Sequence, residues 1–123
     1  MFRNFLLVGL GGGIGSMLRY ATSLMFTSRY FPYSTLAVNI VGSFVIGLVL
    51  GMSEKNEHFL SNWKLFLATG ICGGFTTFSS FSAENLELLQ TGKTVSALLY
   101  ITASVVLGII AVWFGYKLLN PNS

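Results

Sequence analysis

The sequence predicts an all-α membrane protein with about four transmembrane helices per subunit, the third broken near Gly73–Phe78. Three observations carry that expectation. The 123 residues are 53% hydrophobic and only 9% charged, with a mean hydropathy of +0.71, a balance foreign to ordinary soluble domains. The apolar residues fall into runs of spanning length; since a spanning helix needs roughly 20 of them, about four spans fill the chain and leave no room for a soluble domain. Residues 1–123 therefore form one transmembrane domain. The third observation is Gly70 to Ser82, GICGGFTTFSSFS, which crowds glycines, hydroxyls and phenylalanines into the middle of an apolar segment.

The first span, Phe5 to Phe26, is too long for the apolar region of a secretory signal, has no small-x-small cleavage site and is followed by further spans, so it is expected to stay in the mature protein. Within it, Gly9/Gly13 and Gly11/Gly15 recur at four-residue intervals and form a close-packing face. The dinucleotide spacing G-x-G-x-x-G is not met, and no βαβ context surrounds these glycines, which excludes nucleotide binding. Arg19 lies in the same apolar run, where a cation either snorkels to the interface or serves a functional cavity.

After a polar connection, Thr27 to Ser34, the second span covers Thr35 to Met52. Thr35, Asn39, Ser43, Gly47 and Gly51 recur every fourth residue and share one slowly turning face. Asn39 is its costly member, because a carboxamide in hydrocarbon needs partners. It either ties helices together or donates to an anion in a pore. Ser53 to Lys64 is expected to form an aqueous loop in which His58 is solvated, with no second histidine or cysteine at metal-ligand spacing.

The third span, Leu65 to Gln90, carries the central motif. Paired glycines cost a helix roughly 1 kcal/mol each relative to alanine, so the helix is expected to break beside Gly73 and Gly74. At membrane depth such a break survives only where protein or a wet cavity satisfies the backbone. Two readings stand: an ion site, or a packing kink whose hydroxyls bond back to the preceding turn. Lone Cys72 allows no internal disulfide and is expected to be a small buried filler. Glu84 falls on a face similar to that of Phe81, near the far membrane surface, and an interfacial position is preferred for it over a pore mouth. The fourth span, Val95 to Leu119, repeats the four-residue pattern with Ser96, Tyr100, Ser104 and Gly108, which gives a second polar track. Pro121 then ends the helix.

Arg3, Lys55, Lys64 and Lys117 fall on the side of the termini and Arg19, Arg29 and Lys93 opposite, a bias of only four against three. Orientation is normally set by an excess of basic residues on one side, and this chain hardly has one. Insertion in both orientations is expected, with two copies paired antiparallel about an axis in the membrane plane, like the inverted repeats of transporters. The net charge of +3 is spread without a basic run, so no nucleic-acid partner is expected.

GGGIGSMLRY in the first span, TLAVNIVGSFVIG in the second and GICGGFTTFSSFS in the third together closely resemble the Fluc (CrcB) family of fluoride channels, over essentially the whole chain. The resemblance implies a dual-topology homodimer in the cell (inner) membrane, not an enzyme. It would conduct fluoride passively out of the cytoplasm through two antiparallel pores. It further implies that the broken third helices of two subunits cross at the dimer centre, where carbonyls of Gly73 and Thr76 hold a structural sodium ion. Phe78 and Phe81 would form an aromatic box along the pores. Asn39 would lie beside that box, Tyr100 and Ser104 would continue the track, and Arg19 would concentrate anions at a vestibule. Ser80 stands where the family often has threonine and keeps the hydroxyl. Gly108 stands where many members have serine, which puts the upper part of the fourth-span track in question.

The chemistry is consistent with that implication. Fluoride is small and strongly hydrated, so its path should replace water with donors, and Asn39, Thr77, Ser80, Tyr100 and Ser104 carry them. A phenylalanine offers an anion the positive edge of its ring. The alternatives are a small proton-coupled multidrug exporter, which needs a membrane carboxylate that the first span lacks, and a non-transporting scaffold, in which two aligned polar tracks would be wasteful. A hydrolase or redox role has neither a nucleophile with its base nor a cofactor motif to rest on.

Overall fold

A computed structural model describes residues 1–27, 31–55 and 63–122. Arg29, Glu57, His58 and the side chain of Lys55, which entered the expectations about charge bias and the aqueous loop, lie outside the described residues. The elements are α1 (Phe2–Met25), α2 (Tyr33–Lys55), a π-helical segment α3 (Leu65–Cys72), a single turn α4 (Gly73–Phe75), α5 (Ser79–Gln90) and α6 (Thr94–Leu119). Segments α3 to α5 together make the third span. No strand occurs among the described residues.

Among the described residues, three stretches are long and apolar enough to cross a membrane: Tyr33–Glu54, Leu65–Gln90 and Thr94–Leu119. Helix α1 has 24 residues, enough for about 36 Å at 1.5 Å per residue, but its glycines and Arg19 dilute its apolar character. Helix α2 runs three residues past the expected end at Met52, so Ser53 to Lys55 belong to it rather than to a loop.

The helices pair by backbone contact. A Cβ on Gly15 would strike the Ile71 carbonyl and the Phe75 amide, so α1 lies directly against α3 and α4, and the register from Gly11 onward shows the two running parallel. A Cβ on Gly115 would strike the Phe44 carbonyl, and Gly47 meets Val112 and Tyr116 in the same way, so α2 and α6 form a second parallel pair. Side chains would hold these backbones apart, and small residues are what permit the approach. The track of α2 thus faces the track of α6. The expected Gly11/Gly15 face is used within the subunit, while Gly9 and Gly13 have nothing within 4 Å.

The interior is small. Val38, Val49, Cys72, Leu88, Ala97 and Tyr100 are its buried apolar members, and Phe31, Leu36 and Phe81 pack around Leu88, Ala97 and Tyr100. Val95, Leu98, Leu99, Ile109, Ile110, Trp113 and Phe114 of α6 all point outward. Water would not tolerate so large an apolar surface, which suits lipid or another membrane-embedded chain.

The break falls inside the expected window but not at the glycine pair. Gly73 is helical, with φ −61° and ψ −38°, whereas Thr76 is extended, with φ −81° and ψ 158°. Gly74 instead lets the backbone of Gly12 come up against it. The glycines serve the seam with α1, and the chain leaves the helix two residues later.

Candidate functional site

The site is built around the break. In a continuous helix the Thr77 amide would bond to the Gly73 carbonyl; here it donates to Asn39 Oδ1 at 2.8 Å, while Asn39 Nδ2 donates back to the Thr77 carbonyl at 3.1 Å. One carboxamide on α2 thereby replaces both helical partners of Thr77. The Ser80 amide, which would otherwise reach the Thr76 carbonyl, donates to Thr77 Oγ1 at 3.2 Å and starts α5. Thr76 behaves as a packing kink predicts, its hydroxyl and amide both donating to the Cys72 carbonyl, at 2.8 and 2.9 Å. On the other side, Arg19 Nε donates to the Gly74 carbonyl at 3.1 Å. Side chains of α1 and α2 therefore satisfy the freed backbone, as membrane depth requires.

Diverting the Thr77 and Ser80 amides takes the usual helical donors from the Gly73 and Thr76 carbonyls. A cation fits such oxygens, and Gly73 is exposed. Among the described residues no three His, Cys, Asp or Glu side chains gather, so main-chain oxygens are the donor set on offer.

Beside the break lies a cavity of about 300 Å³ lined by Arg19, Thr35, Val38, Thr77, Ser80 and Glu84, with Tyr20 and Phe31 at its edge. It gathers Arg19, Thr35, Thr77 and Ser80, all singled out in the sequence. Glu84, for which the sequence left an interfacial position and a pore mouth, lines the cavity too; it is half-buried and accepts hydrogen bonds from Thr35 Oγ1 at 2.9 Å and Tyr100 OH at 3.0 Å. Part of the signal was present: each polar track starts with a hydroxyl at the same end of the bundle, and Glu84 and Glu87 are the acids of the third span toward that end.

Tyr100 is fully buried, its ring edge-on to Phe81 at 5.0 Å and to Phe31 at 5.4 Å. The two phenylalanines of the motif part company. Phe81 faces inward, while Phe78 is 78% exposed, although their rings stay 5.8 Å apart. One turn beyond Tyr100, the hydroxyl of Ser104 is buried with no hydrogen-bond partner among the described residues. Further along, a Cβ on Gly108 would lie 3.7 Å from Ser43 Oγ, so a serine there would join the two tracks.

A family model described as CrcB-like protein, Camphor Resistance (CrcB), matches residues 6–116. The chain belongs to the CrcB family. Among curated CrcB relatives, the "Fluoride-specific ion channel FluC" of Azobacteroides pseudotrichonymphae is 46% identical over 121 residues, covering 96% of this chain and 97% of the relative. That of Flavobacterium psychrophilum is 49% identical over 111 residues, covering 88% and 90%. That of Thermus thermophilus is 48% identical over 118 residues, covering 94% of each. These CrcB relatives carry an ion channel's name, not an enzyme's, and with the helices of spanning length they make this chain a multi-pass membrane protein.

Proposed function

We propose that this chain is a fluoride-selective channel of the cell membrane, letting fluoride leave the cytoplasm passively through two antiparallel pores of a homodimer. One observation carries the reading: a cation and two hydroxyls, on Arg19, Thr77 and Ser80, converge on one cavity beside a break in a membrane span. The names of the relatives supply the anion.

The physical logic is exchange of a hydration shell. An anion entering the cavity meets the Arg19 charge and then hydroxyls that stand in for water. Glu84 does not bind the anion; it takes the single O–H of Thr35 and of Tyr100 and keeps the cavity from becoming a trap of fixed positive charge. The buried Ser104 hydroxyl offers the next donor, and Phe78 and Phe81 present ring edges. Asn39 gives its acceptor and one N–H to Thr77, which leaves one hydrogen on its nitrogen for a passing anion.

The nearly balanced basic residues support insertion in both orientations, and the exposed face around Gly73 and Phe78 suits a second copy crossing at the break. There the Gly73 and Thr76 carbonyls of both copies would hold a sodium ion, whose charge offsets four converging carbonyl dipoles. The test is fluoride efflux from liposomes containing the purified chain, followed with a fluoride electrode beside chloride-loaded controls. Fluoride release without chloride release, lost in Phe78→Ile, is the expected result; silence toward fluoride in the parent chain overturns the reading.

A further inference from the structure

The seam between α2 and α6 changes character along its length. Toward the C-terminal ends the two backbones touch: Gly51 lies against Tyr116, Gly47 against Val112 and Gly115 against Phe44, which leaves no room for an ion between them. One turn earlier the seam opens. A Cβ on Gly108 would meet Ser43 Oγ at 3.7 Å and, among the described residues, no other atom of a neighbouring helix within 4 Å. The same register sets Ser104 level with Asn39, and Tyr100 level with Thr35. We infer that Ser43 is a donor to the permeating anion, receiving it from Ser104 and standing in for a hydroxyl that α6 does not supply at Gly108. The inference rests on the fluoride reading and adds a residue to its path.

Two hydroxyls set this level apart. A helical serine or threonine commonly donates to a carbonyl of the preceding turn, as Thr22, Thr76 and Thr91 do here at 2.9, 2.8 and 2.9 Å. Thr35 and Tyr100 give their hydrogens to Glu84 instead. Ser104 does neither: its Oγ is buried and has no hydrogen-bond partner among the described residues. Ser43, half-buried, makes no hydrogen bond among them either. A buried hydroxyl without a partner is costly, and an acceptor that enters recovers the cost. Both hydroxyls can donate and neither carries a fixed charge, so an anion between them is held without being trapped. The distances suit a single step. Ser104 and Gly108 are one turn apart, about 6 Å at 1.5 Å per residue. Because Gly47 and Val112 close the seam one turn further on, an anion that has passed Ser104 leaves the seam here, and Ser43 is the last hydroxyl of either track before the closure.

The test measures fluoride efflux from liposomes, and thermal unfolding, for the parent chain, Ser43→Ala, Gly108→Ser and the double variant. Ser43→Ala should slow efflux about tenfold, the effect of one hydrogen bond to a charged acceptor. Gly108→Ser returns a hydroxyl to the same level from α6, and its Cβ would make only ordinary contact with Ser43. In the double variant efflux should therefore recover to within about threefold of the parent. A lowered unfolding midpoint in Ser43→Ala with efflux unchanged would mean that the hydroxyl holds only a structural water. A loss that Gly108→Ser does not restore would make Ser43 a packing residue. Either result overturns the proposal. Gly108→Ser alone needs no change at Ser43: with a second donor at this level, the half-saturating fluoride concentration should fall about threefold. An unchanged value overturns the proposal too. A parent chain that releases no fluoride overturns the fluoride reading and this inference with it, whereas an active parent beside an equally active Ser43→Ala overturns this inference alone.

Discussion

Asn39 and Thr77 exchange two hydrogen bonds across the gap between α2 and the break, the amide of Thr77 to Oδ1 at 2.8 Å and Nδ2 to the Thr77 carbonyl at 3.1 Å. The pairing fixes a backbone that has lost its own helical partners. It also makes the shape of the third span depend on a side chain of the second.

Replacing Asn39 with alanine leaves the Thr77 amide and carbonyl without these partners in apolar surroundings, at about 1–3 kcal/mol for each group. The thermal midpoint of the purified chain should fall, and fluoride efflux should fall with it. Asn39→Asp keeps an acceptor for the amide but gives up the donor, and should lie between the two. Unfolding followed by intrinsic fluorescence ranks the three proteins; an unchanged midpoint for Asn39→Ala would mean that Thr77 finds other partners.

Arg19 holds the Gly74 carbonyl through Nε and lines the cavity. Arg19→Ala should slow fluoride efflux without admitting chloride. If its charge concentrates anions, the gap between variant and parent should narrow as ionic strength rises, because exposed charges are screened over about 10 Å at 0.1 M salt. Efflux rates at low and high salt decide this, and equal rates for both proteins at low salt would refute a vestibule role.

Glu84 and Tyr100 act as one unit if the carboxylate orients the hydroxyl. Glu84→Gln and Tyr100→Phe should each slow fluoride efflux, and the double variant should be no slower than the worse single one. Residues in direct contact typically couple by about 0.5–3 kcal/mol. Strictly additive losses in a double-mutant cycle would separate the two roles.

Gly15 and Gly9 lie on the same helix with opposite surroundings. A methyl group on Gly15 would strike the Ile71 carbonyl and force α1 away from α3, whereas Gly9 has nothing within 4 Å. Gly15→Ala should cost about 1–3 kcal/mol through overpacking. Gly9→Ala should gain up to about 1 kcal/mol from helix propensity. Paired thermal unfolding curves of the two variants test the sign of each effect.

Much of this architecture was legible in the sequence, because spanning length and apolar composition are local properties. The ends of the third and fourth spans agree with hydropathy to within a residue, and four-residue periodicity marked out the two faces, one on α2 and one on α6, that the fold then brings together. The start of the break was harder to locate. Glycine propensity pointed at Gly73 and Gly74, yet these stay helical because the seam with Gly12 needs them, and the helix ends where Asn39 captures Thr77. The π-helical turns of α3 were invisible for the same reason, since contacts with α1 and not local preference accompany them. Glu84 escaped because periodicity assigns a residue to a face but does not say which hydroxyls of other helices reach it. Phe78 and Phe81, neighbours in one motif, could not be told apart until the extended backbone before Phe78 turned one outward and left the other inside.

The extended segment at Thr76–Phe78 also has a place in time. Gly12, Arg19 and Asn39, whose contacts shape it, all precede it in the chain, whereas Tyr100, which locks Glu84 from behind, follows it. Because synthesis runs from the amino end and early segments can associate first, a nascent chain that has reached Gln90 already holds every side chain that shapes the break. The last helix adds the bolt: until α6 arrives, the acid at the heart of the cavity is held, among the described residues, by Thr35 alone.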